Sequence, residues 1–206
     1  MSDPKVVSMG RVSHAERRRA TRAALVSACR ETIRSGGEVS MPQLARAAGV
    51  AEATAYRYFP DLVSLVKEGL EGLWPAPVEA LASVVDSVDV IERVDAACEF
   101  LLRRSHRFER AIRAVIADTV TRPEAGRTRP GFRFGLIALA LTPLAGEVDT
   151  RRRKRVEELR DELAAVVGAE ALFALTDLAG MDIDRAIGTL RRAARTLTAA
   201  ALSDLG

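Results

Sequence analysis

Apolar residues recur three or four positions apart along almost all of this 206-residue chain, and this spacing constrains the fold more than any other feature. Such a period places apolar side chains on one face of a helix, whereas a half-buried strand alternates apolar and polar residues. No long alternation of β-branched residues interrupts the pattern. The sequence therefore predicts an all-α protein of about nine helices.

Glycine and proline divide this pattern into two parts. Four helices are predicted in the N-terminal part, over 13–35, 41–48, 51–58 and 61–74. Pro75 and Pro77 follow the fourth, and proline ends or interrupts helices. We therefore predict a domain boundary there, which gives a flexible arm over 1–12, an N-terminal domain over 13–74 and a larger helical domain over 75–206. The larger domain is expected to begin with a helix over 78–86.

The small net charge of +3 is unevenly distributed. Residues 1–60 contain ten Lys and Arg against five Asp and Glu, a net charge of +5, and the remainder carries −2. A basic segment on a mildly acidic body suggests a polyanion as partner at one end. A solvated, charged helix face would give the same count, so charge alone leaves both interpretations open.

Several classes of protein lack support in this sequence. Two cysteines, Cys29 and Cys98, rule out a disulfide-stapled scaffold, and two histidines leave no zinc cluster. The motif search finds no Gly-rich phosphate loop or nucleophile elbow, so we expect no enzyme, no catalytic residue, no metal and no cofactor. The polar N-terminus lacks a signal peptide, and the longest apolar run, Phe134–Leu141, is too short for a membrane span. We expect a cytoplasmic protein with no membrane partner. The thiols are interpreted as buried, with redox sensing as the alternative.

Segment 40–59 has the pattern of a helix-turn-helix. Ser40 and Gln43 have the spacing of a capping box around Pro42, and Gly49 allows a left-handed turn. Two short helices on either side of such a turn form the motif. Their inward faces are predicted to comprise Leu44, Ala45, Ala48, Val50, Ala55 and Phe59. Small, hydroxyl and cationic residues remain on the outer side of the second helix, as recognition of a DNA groove requires.

The stretch Val39–Leu65 reads VSMPQLARAAGVAEATAYRYFPDLVSL and resembles the DNA-binding domain of the tetracycline-repressor (TetR) family. The matching landmarks are Leu44-Ala45, Ala48-Gly49-Val50, Thr54, Tyr56 and Tyr58-Phe59. The resemblance implies a helical ligand-binding and dimerisation domain in the remainder. It also implies a dimeric, sequence-specific regulator, most often a repressor that a small molecule releases from a palindromic operator. The alternative is a repressor-like fold that serves as a protein-interaction module without a ligand.

Three positions depart from the family pattern. Ala51 replaces the usual Ser or Thr, so the recognition helix lacks its N-cap side chain, which costs about 1 kcal/mol. Leu62 stands where a phosphate-supporting Lys is common. Glu52 places a carboxylate at the contact face, where it can accept from cytosine N4 but repels phosphates. These departures predict a distinct operator and weaker binding.

The resemblance also implies the roles of individual residues. Thr54 and Tyr56 would contact phosphates, and Ser40 would help to hold a phosphate at a helix N-terminus. Nearby arginines would add nonspecific attraction. The predicted DNA-contact set is Ser40, Gln43, Ala51, Glu52, Ala53, Thr54, Tyr56, Arg57, Tyr58, Arg17 and Arg22. For Tyr56 and Tyr58 the alternative is a place in the core.

The second domain is predicted to supply a dimer interface and a pocket. A long helix from Thr150 to Leu178, continuing across Gly168, and a last helix over 183–202 would pair across a two-fold axis. Alanines expected at that interface are Ala186, Ala193, Ala194, Ala200 and Ala201; the alternative places them against their own subunit. The predicted pocket set is Trp74, Phe100, His106, Phe108, Phe132, Phe134 and Phe173, with ordinary core packing as the alternative. The basic run 151–155 is expected to be a solvated helix start or a second anion contact.

Overall fold

The computed structural model describes residues 13–124, 131–145 and 150–205. Within these residues the chain forms eleven α-helices, which confirms the all-α class. The helices are α1 His14–Ser35, α2 Met41–Ala47, α3 Glu52–Tyr58, α4 Leu62–Leu70, α5 Pro77–Ala80, α6 Val90–Arg107, α7 Glu109–Thr121, α8 Phe132–Ala140, α9 Thr150–Val166, α10 Ala169–Phe173 and α11 Ile183–Leu205. The predicted arm over 1–12 lies outside the described residues.

Helix α1 begins and ends with local caps. The hydroxyl of Ser13 accepts from the Glu16 amide at 3.1 Å, and the Glu16 carboxylate accepts from the Ser13 amide at 2.6 Å, which completes a capping box. These bonds lower the pKa of Glu16. The helix ends at Gly36, whose φ of 68° is left-handed. The Ser-x-x-Glu pattern is visible in the sequence, although our sequence analysis did not use it.

The α2–α3 turn has the geometry that the sequence predicts. Gly49 has φ 69°, and the side chains that the motif turns inward include Leu44, Ala55 and Phe59, each at most 1% exposed. Asp61 then caps α4, because its carboxylate accepts from the Ser64 amide at 2.7 Å. The helix-turn-helix therefore sits on a fixed platform made of α1 and α4.

Helices α1 and α4 pack closely. A Cβ atom at Gly69 would lie 2.6 Å from the sulfur of Cys29, so only glycine allows this approach. Arg30 on α1 donates to the carbonyls of Glu68 and Gly69, both at 3.4 Å, near the end of α4. Close packing and hydrogen bonds therefore hold α1 and α4 together.

The body is built from α6 to α11, with α11 packed between α6 and α9. Arg191 on α11 pairs with Asp95 and Glu99 on α6, and Arg155 on α9 donates to Asp204 at 2.9 Å. The core is continuous from the N-terminal helices into this body. The domain boundary at 74–75 remains a prediction.

One buried arginine fixes α8 to the start of α6. Arg93 is 3% exposed and forms no ion pair with another described residue. It donates instead to Ala140 O at 3.1 Å, Leu139 O at 2.5 Å and Ser87 O at 3.2 Å. Further acceptors are the carbonyls of Val84 and Val85 and the hydroxyl of Thr142.

Three of the predicted helices differ from the observed ones, and the predicted number of about nine is lower than the eleven of the described residues. The helix predicted over 61–74 ends at Leu70. The segment predicted as a helix over 78–86 is one helical turn, α5, followed by turns over 81–86. The long helix from Thr150 to Leu178 is broken: α9 ends at Val166, and Gly168 is extended, with φ −166°. A Cβ atom at Gly168 would lie 2.5 Å from the guanidinium of Arg133, so this glycine serves a close approach rather than a helix interior.

Candidate nucleic-acid interface and helical cavity

The outer face of α3 presents four neighbouring side chains to solvent. Glu52, Ala53, Tyr56 and Arg57 are exposed, and Tyr56 is 41% exposed. The opposite face is fixed by Ala55 in the core, and Phe59 follows it there. The core alternative for Tyr56 therefore fails in this structure, and α3 presents a phenol, a guanidinium and a carboxylate together.

Thr54 and Tyr58 occupy the edges of this face. Both are half-buried, and Tyr58 packs against the core. The guanidinium of Arg57 lies 5.8 Å from the centroid of the Tyr58 ring. Tyr58 therefore combines the two interpretations left open by the sequence: it packs inward, and its ring supports Arg57 on the contact face.

The capping box predicted at Ser40 and Gln43 does not form. Helix α2 begins after Ser40 with no side-chain cap bond. Pro42 occupies the first turn and has no N–H, so one of the amides that a cap could satisfy is absent. Both residues are half-buried beside the motif. Their contact with a phosphate remains a prediction.

The departures at Ala51 and Leu62 have different structural settings. Ala51 is exposed at the start of α3 and makes no side-chain cap, as expected. Leu62 is 9% exposed and belongs to the core. Its apolar side chain therefore supports packing of α4 and is not a cation missing from the surface.

The two arginines of the predicted contact set differ. Arg17 is exposed on α1, and its guanidinium makes no hydrogen bond or ion pair with another residue that the structure describes. Arg22 forms a two-pronged pair with Glu68 on α4, and its guanidinium lies 4.8 Å from the centroid of Phe59. A phosphate contact by Arg22 would have to break this pair, whereas Arg17 needs no such exchange.

The structure adds Arg122 to the neighbourhood of α3. It ends α7 and pairs with Asp118, which is the main cause of its raised pKa; the charges of Asp61 and Tyr56 also contribute. No sequence signal marks Arg122 as a member of this neighbourhood. Its proximity to the helix-turn-helix depends on the packing of α7 on α4, which has no local sequence signal.

A partly open cavity lies where the end of α4 meets α6, α7 and α8. Two members of the predicted pocket set line it, Trp74 and Phe132, and their rings are stacked with centroids 4.5 Å apart and an angle of 8°. About 60 Å³ is open to the centres of water-sized molecules. The full lining is Leu70, Trp74, Leu101, Ser105, Ile112, Val115, Phe132, Arg133, Gly168 and Ala169. Ser105 and Arg133 were not predicted from the sequence.

The other members of the predicted pocket set lie outside this lining. Phe108 is buried beside Trp74, with ring centroids 6.3 Å apart, and Phe100 is half-buried. Phe134 is 52% exposed on the other side of α8. Phe173 is covered by the guanidinium of Arg113 at 3.9 Å from its centroid. His106 is exposed, 3.2 Å from the Glu109 carboxylate.

An open groove adjoins the cavity on the far side of the Trp74–Phe132 stack. It shares Leu70, Trp74 and Phe132 with the cavity, and about 550 Å³ of it is open to water-sized molecules. The segment between α4 and α5 forms one wall. The stacked rings of Trp74 and Phe132 therefore line both spaces.

The cavity is connected to the helix-turn-helix through α4. Leu70 ends α4 and lines the cavity, and Trp74 follows four residues later. Arg104 on α6 donates to the carbonyl of Leu73 and so anchors this segment. Since α4 also contacts α1 through Glu68, one short helix joins the cavity to the predicted DNA-binding face.

The alanines predicted at a dimer interface divide into two groups. Ala186, Ala194 and Ala201 are fully buried inside the subunit, so the alternative placement is right for them. Ala193 is half-buried, and Ala200 is exposed. The apolar stripe of α9 is likewise covered within the chain, since Leu159 and Leu163 are fully buried.

The chemistry of the remaining side chains is limited. Cys29 and Cys98 are buried, and burial raises the pKa of each thiol to about 12, which argues against a reactive thiolate. In the described ranges, no group of three His, Cys, Asp or Glu side chains could hold a metal ion. Nor does any helix of those ranges have the length and apolar character to span a bilayer. The basic run 151–155 begins α9, where Arg155 is engaged with Glu162 and Asp204.

Comparisons with known proteins give two matches. Residues 25–68 match the family model for bacterial regulatory proteins of the tetR family. The crystal structure of a TetR transcriptional regulator from Rhodococcus sp. RHA1 superposes with a TM-score of 0.50 at 23% identity, covering 88% of this chain and 97% of that one. That likeness shows a common fold. No curated protein matches the sequence.

Proposed function

We propose that this protein, which its N-terminal domain identifies as a TetR-family regulator, is a dimeric repressor that a small molecule releases from a palindromic operator. Its family and its helix-turn-helix make it a DNA-binding regulator. Dimerisation, the repressing role and release by a ligand are the proposed parts. A protein that acts on bacterial DNA works in the cytoplasm, which we propose as its location.

The exposed outer face of α3 is the observation that supports DNA recognition. Tyr56, Arg57 and Glu52 are exposed together, while Ala55 and Phe59 hold the opposite face in the core. A guanidinium can bond guanine O6 and N7, and a phenol can bond a phosphate. Arg17 adds a cation without an ion-pair partner in the described chain, as nonspecific attraction requires.

Selection of bound DNA from a random pool tests the recognition step. We expect enrichment of a palindrome whose half-sites are one or more helical turns apart, since two copies of one motif bind related half-sites. Affinity for the selected site should fall steeply with added salt. Absence of any enriched sequence would contradict the recognition step and favour an interaction module.

The proposed dimer uses one exposed face of α11. Small side chains follow each other there at helical spacing: Thr189, Ala193, Thr196, Ala200 and Ser203. Their size permits close approach of a second helix, and α9 lies beside them to complete a four-helix arrangement. Arg185, Arg192 and Arg195 border this stripe with charge.

Light scattering on two variants tests the dimer. Ala200→Glu places a carboxylate within the stripe and should shift the protein to the monomer, because burying an unpaired charge is costly. Ala199→Glu changes an exposed neighbour outside the stripe and should leave the dimer intact. Dimers in both variants would show that this stripe of α11 does not mediate association.

The proposed release step uses the path from cavity to α4. A molecule that displaces Leu70 or Trp74 moves the end of α4, and α1 follows through Glu68 and Gly69. The two recognition helices of a dimer then leave the spacing that an operator requires. A ligand shifts the equilibrium between the DNA-binding and the released conformation only by the difference between its affinities for the two. Loss of operator binding on ligand addition, reversed by dialysis, is the expected result.

A further inference from the structure

We propose that Arg122, which follows α7 in the body, binds a phosphate of the DNA backbone beside Tyr56. This inference rests on the proposed function, and it extends the DNA contact from the helix-turn-helix to the body. Arg122 lies outside the predicted contact set and far along the chain from α3.

The packing of α7 against α4 brings Arg122 to the contact face. Arg122 directly follows the end of α7, and Asp61 directly precedes the start of α4. Asp61 and Tyr56 are close enough to act on the charge of Arg122, because both contribute, after the pairing with Asp118, to its raised pKa. Tyr56 is 41% exposed on the outer face of α3. The guanidinium therefore lies beside a side chain of the predicted DNA-binding face.

Part of the Arg122 guanidinium remains available for a phosphate. Its Nη2 donates to Oδ1 of Asp118, one helical turn earlier on α7, whose side chain is 13% exposed. The side chain of Arg122 itself is 35% exposed. Its Nε and Nη1 make no hydrogen bond with another residue that the structure describes. Asp118 therefore holds the guanidinium in place without using all its donors, and such donors suit phosphate oxygens.

The start of α4 supplies an acid and no cation. Residues 58–66 contain no Lys or Arg and one acid, Asp61, whose carboxylate accepts from the Ser64 amide at 2.7 Å. Asp118 adds a second carboxylate nearby. Carboxylates close to the DNA backbone repel its phosphates unless a cation offsets them. Arg122 is the cation that the fold places beside both acids.

A side chain beside a recognition helix lies close to phosphates once that helix occupies a groove. The major groove is about 12 Å wide and a helix with its side chains is about 10–12 Å across, so phosphates flank the helix on both sides. Arg122 binds one of them from the body, while Tyr56 contacts the backbone from α3. The competing interpretation is that Arg122 only neutralises Asp61 and Asp118 and never contacts DNA.

DNA titrations of the full chain at several salt concentrations test the contact. Arg122→Met should weaken binding about tenfold, the value of one charge-assisted hydrogen bond, and should reduce the slope of log K against log salt by about 0.9. Arg103→Met is the matched control and should keep the slope, because Arg103 is a body arginine with an acid four residues earlier, Glu99 at 3.5 Å. If Arg122→Met fails to fold, Arg122→Gln removes the charge and retains a donor. An unchanged slope in a folded variant would overturn the proposal.

Asp118→Asn separates a phosphate contact from a structural ion pair. A phosphate contact predicts that Asp118→Asn, which keeps the cation, retains the full slope, whereas Arg122→Met reduces it. A purely structural pair predicts that both substitutions lower the urea midpoint alike and that neither changes the slope. The second pattern would contradict the contact.

Single methylphosphonates in the selected DNA locate the contact, since each replaces one charged phosphate by a neutral group. The wild type and Arg103→Met should lose affinity at the same positions. Arg122→Met should be insensitive at one of them, and this position should be the one affected by Tyr56→Phe or its neighbour. A wild-type pattern in Arg122→Met would show that Arg122 acts only as a neutralising charge and would overturn the proposal.

An unrelated duplex separates this inference from the proposed function, because a phosphate contact carries no sequence information. A slope reduced in Arg122→Met on unrelated DNA, without any selected operator, would support the contact and contradict sequence-specific repression. Normal operator binding and release, with an unchanged slope in Arg122→Met, would contradict the contact and leave the proposed function standing.

Discussion

Arginine side chains have different partners in the N-terminal domain and in the body. In the N-terminal domain Arg17, Arg34 and Arg46 are exposed, and their guanidinium groups have no ion pair with another described residue. In the body, arginines join one helix to another: Arg93 joins α6 to α8, and Arg191 joins α11 to α6. Several guanidinium groups of the body thus hold its helices together, whereas these three arginines of the N-terminal domain have no such partner among the described residues.

The contrast explains why net charge is a poor guide to function here. Both regions are rich in arginine, but most of the internal partners lie in the body. Arg113, for example, donates to both oxygens of Asp177, at 2.6 and 2.7 Å, and this pairing raises its pKa. A guanidinium bound in this way attracts an external anion weakly. Arg17 on α1 and Arg46 on α2 face no such internal competitor among the described residues.

The largest effect is expected from Arg93, the extreme case of a structural arginine. Arg93→Met leaves several buried carbonyls of two segments without a donor, which should lower the free energy of unfolding by about 3–5 kcal/mol. Urea denaturation measures the loss. Arg103→Met removes an exposed arginine that pairs with Asp184 and should have little effect. Equal stability of both variants would mean that the body does not depend on buried arginine.

Arg57 is the corresponding test for the N-terminal domain. Arg57→Ala should weaken binding to the selected operator by about 1–3 kcal/mol and relax the base preference at one position. The unfolding transition should not move, because the side chain is exposed. Arg153→Ala, an exposed arginine on α9, is the control in the same gel-shift titration. A large loss of stability in Arg57→Ala would place this arginine with the structural group and break the contrast.

Tyr56 sharpens the contrast between base and phosphate contacts. Tyr56→Phe removes only the hydroxyl, so we expect a loss of about 1 kcal/mol in DNA affinity. Since phosphates carry no sequence information, the loss should be the same for selected and unrelated DNA. A loss confined to the selected operator would show that Tyr56 contacts a base. Titrations against both DNAs in one salt concentration distinguish these outcomes.

The two regions also differ in how much of them the sequence predicts. The turn at Gly49, the end of the first helix at Ser35 and the start of the fourth near Asp61 were predicted, because each signal lies within a few residues of the structure that it specifies. The surroundings of Arg93 and Ser105 depend on segments that are distant along the chain. Arg93 bonds carbonyls 46 and 47 residues away, and the cavity that Ser105 lines combines residues of α4, α6, α7 and α8.

The errors have the same origin. Gly168 lies in an uninterrupted apolar period, so the sequence pattern showed neither the end of α9 at Val166 nor the approach of Arg133 from α8. The predicted pocket set was chosen by residue type, so it included Phe134, which faces solvent, and omitted Ser105 and Arg133, which line the cavity. In the N-terminal domain, residue type and spacing were sufficient for α3, because a seven-residue helix with one buried face leaves few alternatives.

The smallest effect is expected from the thiols, one in each region. Cys29 and Cys98 are both fully buried, and a pKa raised from 9.0 to about 12 makes the thiolate about a thousandfold rarer than in an unfolded chain near neutral pH. We expect neither to react with a disulfide reagent until the protein opens. Because the folded pKa is the higher one, their contribution to stability is complete below pH 9.0 and is lost as the pH rises towards about 12.

Variants with a single thiol allow the slow reaction of the buried cysteines to be compared between the two regions. Cys98→Ala leaves Cys29 as the reporter of the N-terminal helices, and Cys29→Ala leaves Cys98 as the reporter of the body. We expect the same slow rate from both, since one continuous core contains both sulfurs and opens as a unit. Faster labelling of Cys29 at equal global stability would show that the N-terminal helices open separately. Fast labelling of either folded variant would instead support the redox-sensing alternative. The rate of thiol labelling, measured beside the urea midpoint of each variant, decides between these outcomes.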